Sequence, residues 1–115
     1  MTLFKIGNFK AHSGAILPWK IDCDELTDED WKCLALMTAE KLVNFGSVEG
    51  VPRGGIPFAN ALIPYITTGP LLIVDDVLTT GSSMEEYKAG REAIGVVVFS
   101  RGERPKWIQS IFKIE

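Results

Sequence analysis

The chain contains short apolar runs separated by segments in which apolar residues recur at helical spacing. The clearest run is Leu71–Val74, which is too short for a helix and is bounded by turn-forming residues, so it predicts a buried strand over 71–75. A second run, Val96–Phe99, predicts another strand, and 47–51 is a weaker strand signal. Residues 3–26 mix aromatic and apolar residues with turn formers, so we expect short strands or extended segments there.

A long amphipathic helix is expected after these N-terminal segments. Thr27–Asp30 supplies an N-cap and an acidic first turn, and the pattern stops at Gly46. The positions that recur at three- and four-residue steps are Trp31, Leu34, Ala35, Thr38, Leu42 and Phe45. This helix should cover one face of a sheet.

Two shorter helices complete the pattern. One contains Phe58 and Leu62, with Pro57 near its first turn, and the other runs from about Ser82 to Ala93 and is weakened by Gly90. Strands that alternate with helices imply parallel βαβ units with right-handed crossovers. We therefore predict an α/β fold, a single Rossmann-like domain with a mainly parallel twisted sheet flanked by helices, whose ligands bind at the carboxyl ends of the strands.

Composition and charge limit the classes of function. At 115 residues the chain is expected to form one domain over 1–115, and its net charge of -3 argues against a general nucleic-acid or anionic-membrane surface. No apolar segment approaches the length of a membrane span, and 1–7 has no signal-peptide core, so we expect a cytoplasmic protein. Cys23 and Cys33 fit no zinc spacing and are expected to be reduced thiols.

The segment after Val74 carries the most informative chemistry. Asp75 and Asp76 follow the apolar run, and a hydroxyl loop follows them; this loop consists of Thr79, Thr80, Gly81, Ser82 and Ser83. Backbone N–H groups and hydroxyls at the start of a helix bind phosphate, whereas carboxylates suit sugar hydroxyls or a hard cation. Together these two groups imply a phosphorylated sugar as the ligand, and neither common nucleotide signature is present to compete with this interpretation. The alternative is an ordinary strand–turn–helix with one capping hydroxyl, but this loop has four.

A second candidate anion loop precedes this segment. In 50–57, Gly54 and Gly55 allow the backbone to approach a ligand closely, Arg53 offers a guanidinium for a charged oxygen, and a helix follows. A Gly-Gly turn that leads into a helix is also common, so this loop alone leaves both interpretations open.

The run 71–83 resembles, position by position, the 5-phosphoribosyl-1-pyrophosphate (PRPP) binding motif of type I phosphoribosyltransferases. The resemblance implies that Asp75 and Asp76 are the catalytic pair, contacting the ribose 2- and 3-hydroxyls, and that the hydroxyl loop holds the 5-phosphate. It also implies Mg²⁺ as cofactor, which both aspartates would reach indirectly through PRPP. The family fold adds a small hood from the N- and C-terminal segments, and a homodimer is expected.

The 50–57 segment resembles the pyrophosphate loop of the same family. The resemblance implies that Arg53, Gly54 and Gly55 bind pyrophosphate and that the Pro52–Arg53 peptide is cis. An acidic cluster, Asp22 with its neighbours Asp24 and Glu25, could ligate a cation, but a charged approach to the helix explains it and we leave it out of the site.

The two ends of the chain narrow the resemblance to orotate phosphoribosyltransferases. The pair Ser13 and Gly14 is similar to the Leu-x-Ser-Gly segment of those enzymes, and 100–104 is similar to their Asp-Arg-x-Glu-Arg. Both segments border the pyrimidine pocket there, so the resemblance implies Ser13, Gly14 and Arg101 as base-binding residues. His12 stands where that family often has a basic residue. A solvated loop histidine and a solvated charged turn remain the alternatives for His12 and for Arg101.

The resemblance also identifies a missing part. Family members carry a further strand and a long mobile loop between the two binding loops, and orotate enzymes supply a catalytic lysine from it. Here only 63–70 fills this interval, with no lysine and room for a short strand and a turn at most. We expect a minimal transferase that converts PRPP and a pyrimidine-like base, orotate first, into a nucleoside monophosphate and pyrophosphate. The alternative is a PRPP- or nucleotide-binding regulatory protein with little or no turnover.

Overall fold

The computed structural model describes residues 3–10, 16–41 and 44–114. These residues form six strands and three α-helices. The strands are β1 (Phe4–Lys10), β2 (Ile16–Ile21), β3 (Ser47–Gly50), β4 (Leu71–Leu78), β5 (Ile94–Arg101) and β6 (Ile108–Ile114). The helices are α1 (Asp28–Lys41), α2 (Ile56–Leu62) and α3 (Ser82–Lys88), with 3-10 turns at Cys23–Glu25 and Ile63–Tyr65.

The main sheet has four parallel strands in the order β3-β4-β5-β6. Val74 in β4 pairs with Gly50 in β3 and with Val96 in β5, so the strands share one register across the middle of the sheet. The predicted α/β fold with a parallel sheet flanked by helices is therefore confirmed.

Helices cover both faces of this sheet. On one face, Leu72 and Val74 pack with Phe58 of α2 and Trp31 of α1, whose rings lie 5.7 Å apart between centroids. On the other face, Ile73 packs in a second cluster with Met84 of α3. A parallel strand buried on both sides requires the continuous apolar run that the sequence shows at 71–74.

Helix α1 begins at the predicted cap. The Thr27 N–H donates to Asp30 Oδ2 at 2.9 Å, and the Asp30 N–H donates to Thr27 Oγ1 at 3.2 Å, which is a reciprocal capping box. Among the described residues, no helix is long and apolar enough to cross a membrane.

Strands β1 and β2 form a separate antiparallel hairpin sheet that accounts for the N-terminal part of the predicted hood. The C-terminal segment differs from the expectation, because it forms β6 at the edge of the main sheet. The reason is that Gly95 and Val97 of β5 pair with Ile108 and Ser110, which extends the main sheet by one parallel strand.

Three predicted boundaries were wrong. Helix α1 was expected to continue to Gly46, but its described part ends at Lys41 and Phe45 lies outside it. Strand β4 continues to Leu78, which pairs with Ser100, so the two aspartates lie inside the strand and not after its end. Helix α3 ends at Lys88 and does not reach Ala93, because Ala89 and Gly90 adopt positive φ values of 53° and 77°.

The interval 63–70 contains a 3-10 turn and bends but no strand. Its later part is held at the amino end of the sheet, where the Thr67 N–H donates to Phe45 O at 2.9 Å and the Gly46 N–H donates to Pro70 O at 3.0 Å. Ser47 is the first residue of β3 and pairs with Leu71, the first residue of β4. The segment therefore lies at the amino ends of the strands, on the side of the sheet opposite their carboxyl ends.

Candidate functional site

The loop after β3 folds back onto β4. The Val51 N–H donates to Val74 O at 2.9 Å, and the Gly55 N–H donates to Val51 O at 2.8 Å, which closes a tight turn over 51–55. The Pro52–Arg53 peptide is cis, as the sequence resemblance implied. Helix α2 follows directly, with Pro57 in its first turn.

Glycine is required in this loop by the closeness of the backbone to its neighbours. A β-carbon on Gly55 would lie 2.5 Å from Val74 O and 2.7 Å from Val51 N. A β-carbon on Gly54 would overlap the carboxylate of Asp76. The loop and β4 are therefore packed backbone to backbone, and Asp76 lies directly against the turn.

The two aspartates lie just past the end of β3, since Gly50, its last residue, pairs with Val74. Asp75 is 8% exposed and Asp76 is half-buried. The Asp76 N–H donates to Asp75 Oδ1 at 2.8 Å, and the Val77 N–H donates to Asp76 Oδ1 at 2.7 Å. Each carboxylate is thus fixed by the backbone N–H of the residue that follows it.

The environment of Asp75 favours its neutral form. Burial, followed by the adjacent carboxyl group of Asp76, raises the pKa of Asp75 to about 8. A titratable group with a strongly perturbed pKa near the carboxyl ends of the strands of an α/β sheet is a candidate for a functional role.

The hydroxyl loop connects β4 to α3. Gly81 adopts a φ of 87°, a conformation that glycine favours, and its α-carbon faces the Pro105 ring. The Thr80 and Ser82 hydroxyls lie 2.8 Å apart, and the Ser82 N–H points to Thr80 Oγ1 at 3.4 Å. In the part of the chain that the structure describes, the backbone N–H groups of Thr80, Gly81 and Ser83 donate to no protein acceptor. They remain available for a ligand.

The two aspartates line two different hollows. Asp76 lines a cleft of about 370 Å³ together with Arg53 and Gly54 of the turn after β3. Asp75 lines a smaller hollow of about 20 Å³ against the hydroxyl loop. The acid pair therefore lies between the two predicted anion loops and contributes one carboxylate to each side.

The cleft has a second wall that sequence reasoning missed. The segment between β2 and the first turns of α1 contributes side chains to it; these are Cys23, Asp24, Leu26, Asp28 and Trp31. Burial and the nearby charge of Asp76 raise the pKa of the Cys23 thiol to about 12. The acidic cluster after β2 was the only sequence signal for this wall, and a charged approach to α1 explained it equally well.

Cys23 and Cys33 are both free thiols, as predicted, and Cys33 is exposed. Among the described residues, no group of three or more His, Cys, Asp or Glu side chains could hold a metal ion.

The predicted base-binding residues separate into two groups. Ser13 and Gly14 lie outside the described residues. Arg101 ends β5 and is partly buried beside the hairpin, where its guanidinium carbon lies 3.6 Å from the centre of the Trp19 ring. Trp19 was not predicted as a site residue, because a single aromatic residue in a short strand is most often a core residue.

Two curated relatives are both named orotate phosphoribosyltransferase. The chain is 30% identical to the protein from Pyrobaculum calidifontis over 124 residues, which cover 82% of this chain and 65% of that protein. It is 28% identical to the protein from Sulfurisphaera tokodaii over 135 residues, which cover 88% of this chain and 69% of that protein. The chain thus spans about two thirds of the length of these relatives. No protein-family model matches the chain.

Solved structures match the chain along most of its length. The orotate phosphoribosyltransferase of Aeropyrum pernix superposes with a TM-score of 0.75 at 22% identity, covering 96% of this chain and 88% of that one. The orotate phosphoribosyltransferase of Mycobacterium tuberculosis gives a TM-score of 0.64 at 16% identity, covering 97% and 90%. At these identities the likeness shows a shared fold.

Proposed function

The chain has the type I phosphoribosyltransferase fold and is similar in sequence to orotate phosphoribosyltransferases, and from this premise we propose that it binds PRPP and transfers the phosphoribosyl group to a pyrimidine-like base. Orotate is the base we expect first. The reaction would release pyrophosphate and leave a nucleoside monophosphate.

The observation that carries this proposal is the position of the acid pair between two anion loops. Asp76 lies against Gly54 on one side, and Asp75 lines the hollow of the hydroxyl loop on the other. PRPP has the same order of groups, with a pyrophosphate and a 5-phosphate at opposite ends of a ribose that carries two hydroxyls. A cleft beside Arg53, a loop with free backbone donors at 80–83 and hydrogen-bond acceptors for sugar hydroxyls between them match this ligand.

Each end of the ligand has a distinct set of protein groups. The free backbone N–H groups of Thr80, Gly81 and Ser83 suit the 5-phosphate, because several N–H donors close together bind an anion without the help of a charged side chain. Arg53 and the backbone at Gly54 suit the pyrophosphate, because a guanidinium binds phosphate oxygens in a bidentate manner. The ribose would then lie across the acid pair.

The acid pair also fits a magnesium cofactor, because carboxylate oxygens are the ligands that this hard cation prefers. The cation would arrive bound to PRPP, and Asp75 and Asp76 would reach it indirectly. When bound, Mg²⁺ would offset the negative charge of the leaving pyrophosphate.

The transfer is a substitution at C1 of the ribose. A ring nitrogen of the base forms the new bond to C1 and releases its proton to water. The bond from C1 to the pyrophosphate oxygen breaks, and its electron pair leaves with pyrophosphate. The chain's own contribution is to hold both anionic ends and the sugar in one geometry, with Arg101 on the side of the base.

A second candidate function follows from the position of 63–70. This segment is held at the amino end of the sheet by Phe45 and Gly46, away from both anion loops, and it contains no lysine. It therefore adds neither a cover nor a cation to the proposed site. A PRPP- or nucleotide-binding regulatory protein with weak turnover is the alternative that this observation favours.

One experiment separates these functions. Calorimetric titration with PRPP measures binding, with and without Mg²⁺. Pyrophosphate release is then measured with PRPP, Mg²⁺ and a panel of bases, starting with orotate. We expect magnesium-dependent binding and orotate-dependent release. Binding without release for every base would leave the regulatory function, and the absence of binding would refute both. Light scattering on the same sample tests the expected homodimer.

A further inference from the structure

Among the described residues of the N-terminal hairpin, Trp19 is the one that holds Arg101. Its guanidinium carbon lies 3.6 Å from the centre of the Trp19 ring, the separation of a stacked pair, and its Nη1 points to Trp19 O at 3.5 Å. Trp19 is in β2 and Arg101 is the last residue of β5, so this pair joins the hairpin to the main sheet.

The Arg101 guanidinium has no counter-ion in the part of the chain that the structure describes. Among the described residues, no carboxylate lies within ion-pair distance of it, and its remaining N–H groups donate to no protein acceptor. Arg91, by contrast, is paired with Glu49 at 3.2 Å. Because Arg101 is partly buried, a lone positive charge there favours an anionic partner.

The location of Arg101 connects this charge to the proposed site. Ser100, the preceding residue, pairs with Leu78, and the hydroxyl loop begins immediately after Leu78. The carboxyl ends of β4 and β5 thus bring the stacked guanidinium to the same edge of the sheet as the proposed 5-phosphate site.

We propose that Trp19 is the positioning residue for Arg101 and that the pair selects a planar base carrying a negative charge over a neutral one. The indole fixes the plane of the guanidinium, so its free N–H edge is presented to a carboxylate as a preformed two-donor site. This inference rests on the proposed function and adds to it a residue that determines base selectivity.

The test compares orotate with uracil, which lacks the carboxylate. Calorimetry would give the dissociation constant of each base for the wild type and for Trp19→Leu, with PRPP binding measured in parallel. We expect Trp19→Leu to weaken orotate binding by about tenfold and uracil binding by less than about twofold. The reason is that the substitution removes the cation–π contact that orders the Arg101 guanidinium, and only orotate has a carboxylate to bind that guanidinium. PRPP affinity should change by less than about twofold, because the described contacts of Trp19 are with Arg101 and the core cluster around Trp31.

Conservative and distant variants separate positioning from folding. Trp19→Phe keeps an aromatic face and should retain most of the orotate preference, whereas Arg101→Lys keeps the charge, loses the stacked plane and should lose the preference. Trp107→Leu is the matched control, because Trp107 also lies under a cation, Lys88 at 4.6 Å, but in the cluster around α3. It should leave the ratio of the two affinities unchanged.

Each outcome decides the inference. A folded Trp19→Leu protein with the wild-type ratio of orotate to uracil affinity would overturn the inference. If Trp19→Leu does not fold, an Arg101→Lys protein with the wild-type ratio would overturn it. A wild-type protein that binds PRPP but not orotate would overturn this inference and leave PRPP binding intact. A wild-type protein that binds neither would refute the proposed function itself.

Discussion

Gly54 lies directly against the side chain of Asp76, so that a β-carbon on the glycine would overlap the carboxylate. This contact joins the turn after β3 to the acid pair in β4. It places the proposed pyrophosphate loop directly beside the proposed ribose site, with no room between them for a larger side chain at position 54.

A Gly54→Ala substitution should therefore damage binding more than folding. The added methyl group must displace Asp76 or the turn, and we expect PRPP affinity to fall by about tenfold or more. Calorimetry measures the affinity and a thermal melt measures the stability. Asn60→Ala, an exposed change on α2, is the control and should bind PRPP as the wild type does. Wild-type affinity in Gly54→Ala would show that this contact is not part of the site.

Asp75 should make the protein less stable as pH rises. Burial and Asp76 raise its pKa in the folded state to about 8 from the ordinary value of 3.8, so the folded state binds the proton more tightly than the unfolded state does. The resulting loss of stability is absent below about pH 4, grows between about pH 4 and 8, and is complete above, on the order of a few kcal/mol.

Asp75→Asn removes this titration. The difference in urea midpoint between the variant and the wild type should be small at pH 5 and should favour the variant at pH 8. Titrating groups that do not interact with Asp75 contribute equally to both proteins and cancel in the difference. A constant difference across this pH range would show that Asp75 is ionised in the folded protein.

A negative charge in the hydroxyl loop should separate binding from stability. Ser83 is in the first turn of α3, where an acidic side chain stabilises a helix by about 0.3–1 kcal/mol. Ser83→Asp should therefore leave the melting temperature unchanged or higher, while repulsion of the 5-phosphate lowers PRPP affinity by about tenfold or more. Ser47→Asp, an exposed change at the start of β3, should have no effect on affinity. Equal affinities for both variants would place the phosphate elsewhere.

Ser100 carries a hydroxyl that has no hydrogen-bond partner among the described residues, although the residue is only 1% exposed. Ser100→Ala removes a buried polar atom without removing a hydrogen bond. Its free energy of unfolding should stay the same or rise by up to about 1 kcal/mol. A clear loss of stability in urea denaturation would mean that the hydroxyl has a partner in solution.

The sequence predicted the elements whose signals are local. The capping segment at Thr27 and the apolar run before Asp75 could be predicted, because the signals for a helix cap and for a buried strand lie in adjacent residues. The cis Pro52–Arg53 peptide was predicted from resemblance to a family, and no property of the residues alone would have indicated it.

The elements that were missed depend on distant partners. Two aspartates would normally end a buried strand, yet β4 continues because Val77 and Leu78 pair with Phe99 and Ser100. Strand β6 has neither strict alternation nor a continuous apolar run, so only its pairing with β5 defines it. The cleft wall at Cys23 was missed for the same reason. Cys23 is far from Asp76 in the sequence, and only the folded structure brings the two residues to one cleft.

The location of the sugar phosphate is the claim on which the other proposals depend, and amide chemical shifts test it directly. Titration of isotope-labelled protein with PRPP and Mg²⁺ should shift the backbone resonances of Gly54, Thr80, Gly81 and Ser83, and it should leave those of Thr67 and Gly69 at the opposite edge of the sheet unchanged. Saturable shifts confined to another surface, with these four resonances unmoved, would contradict the account.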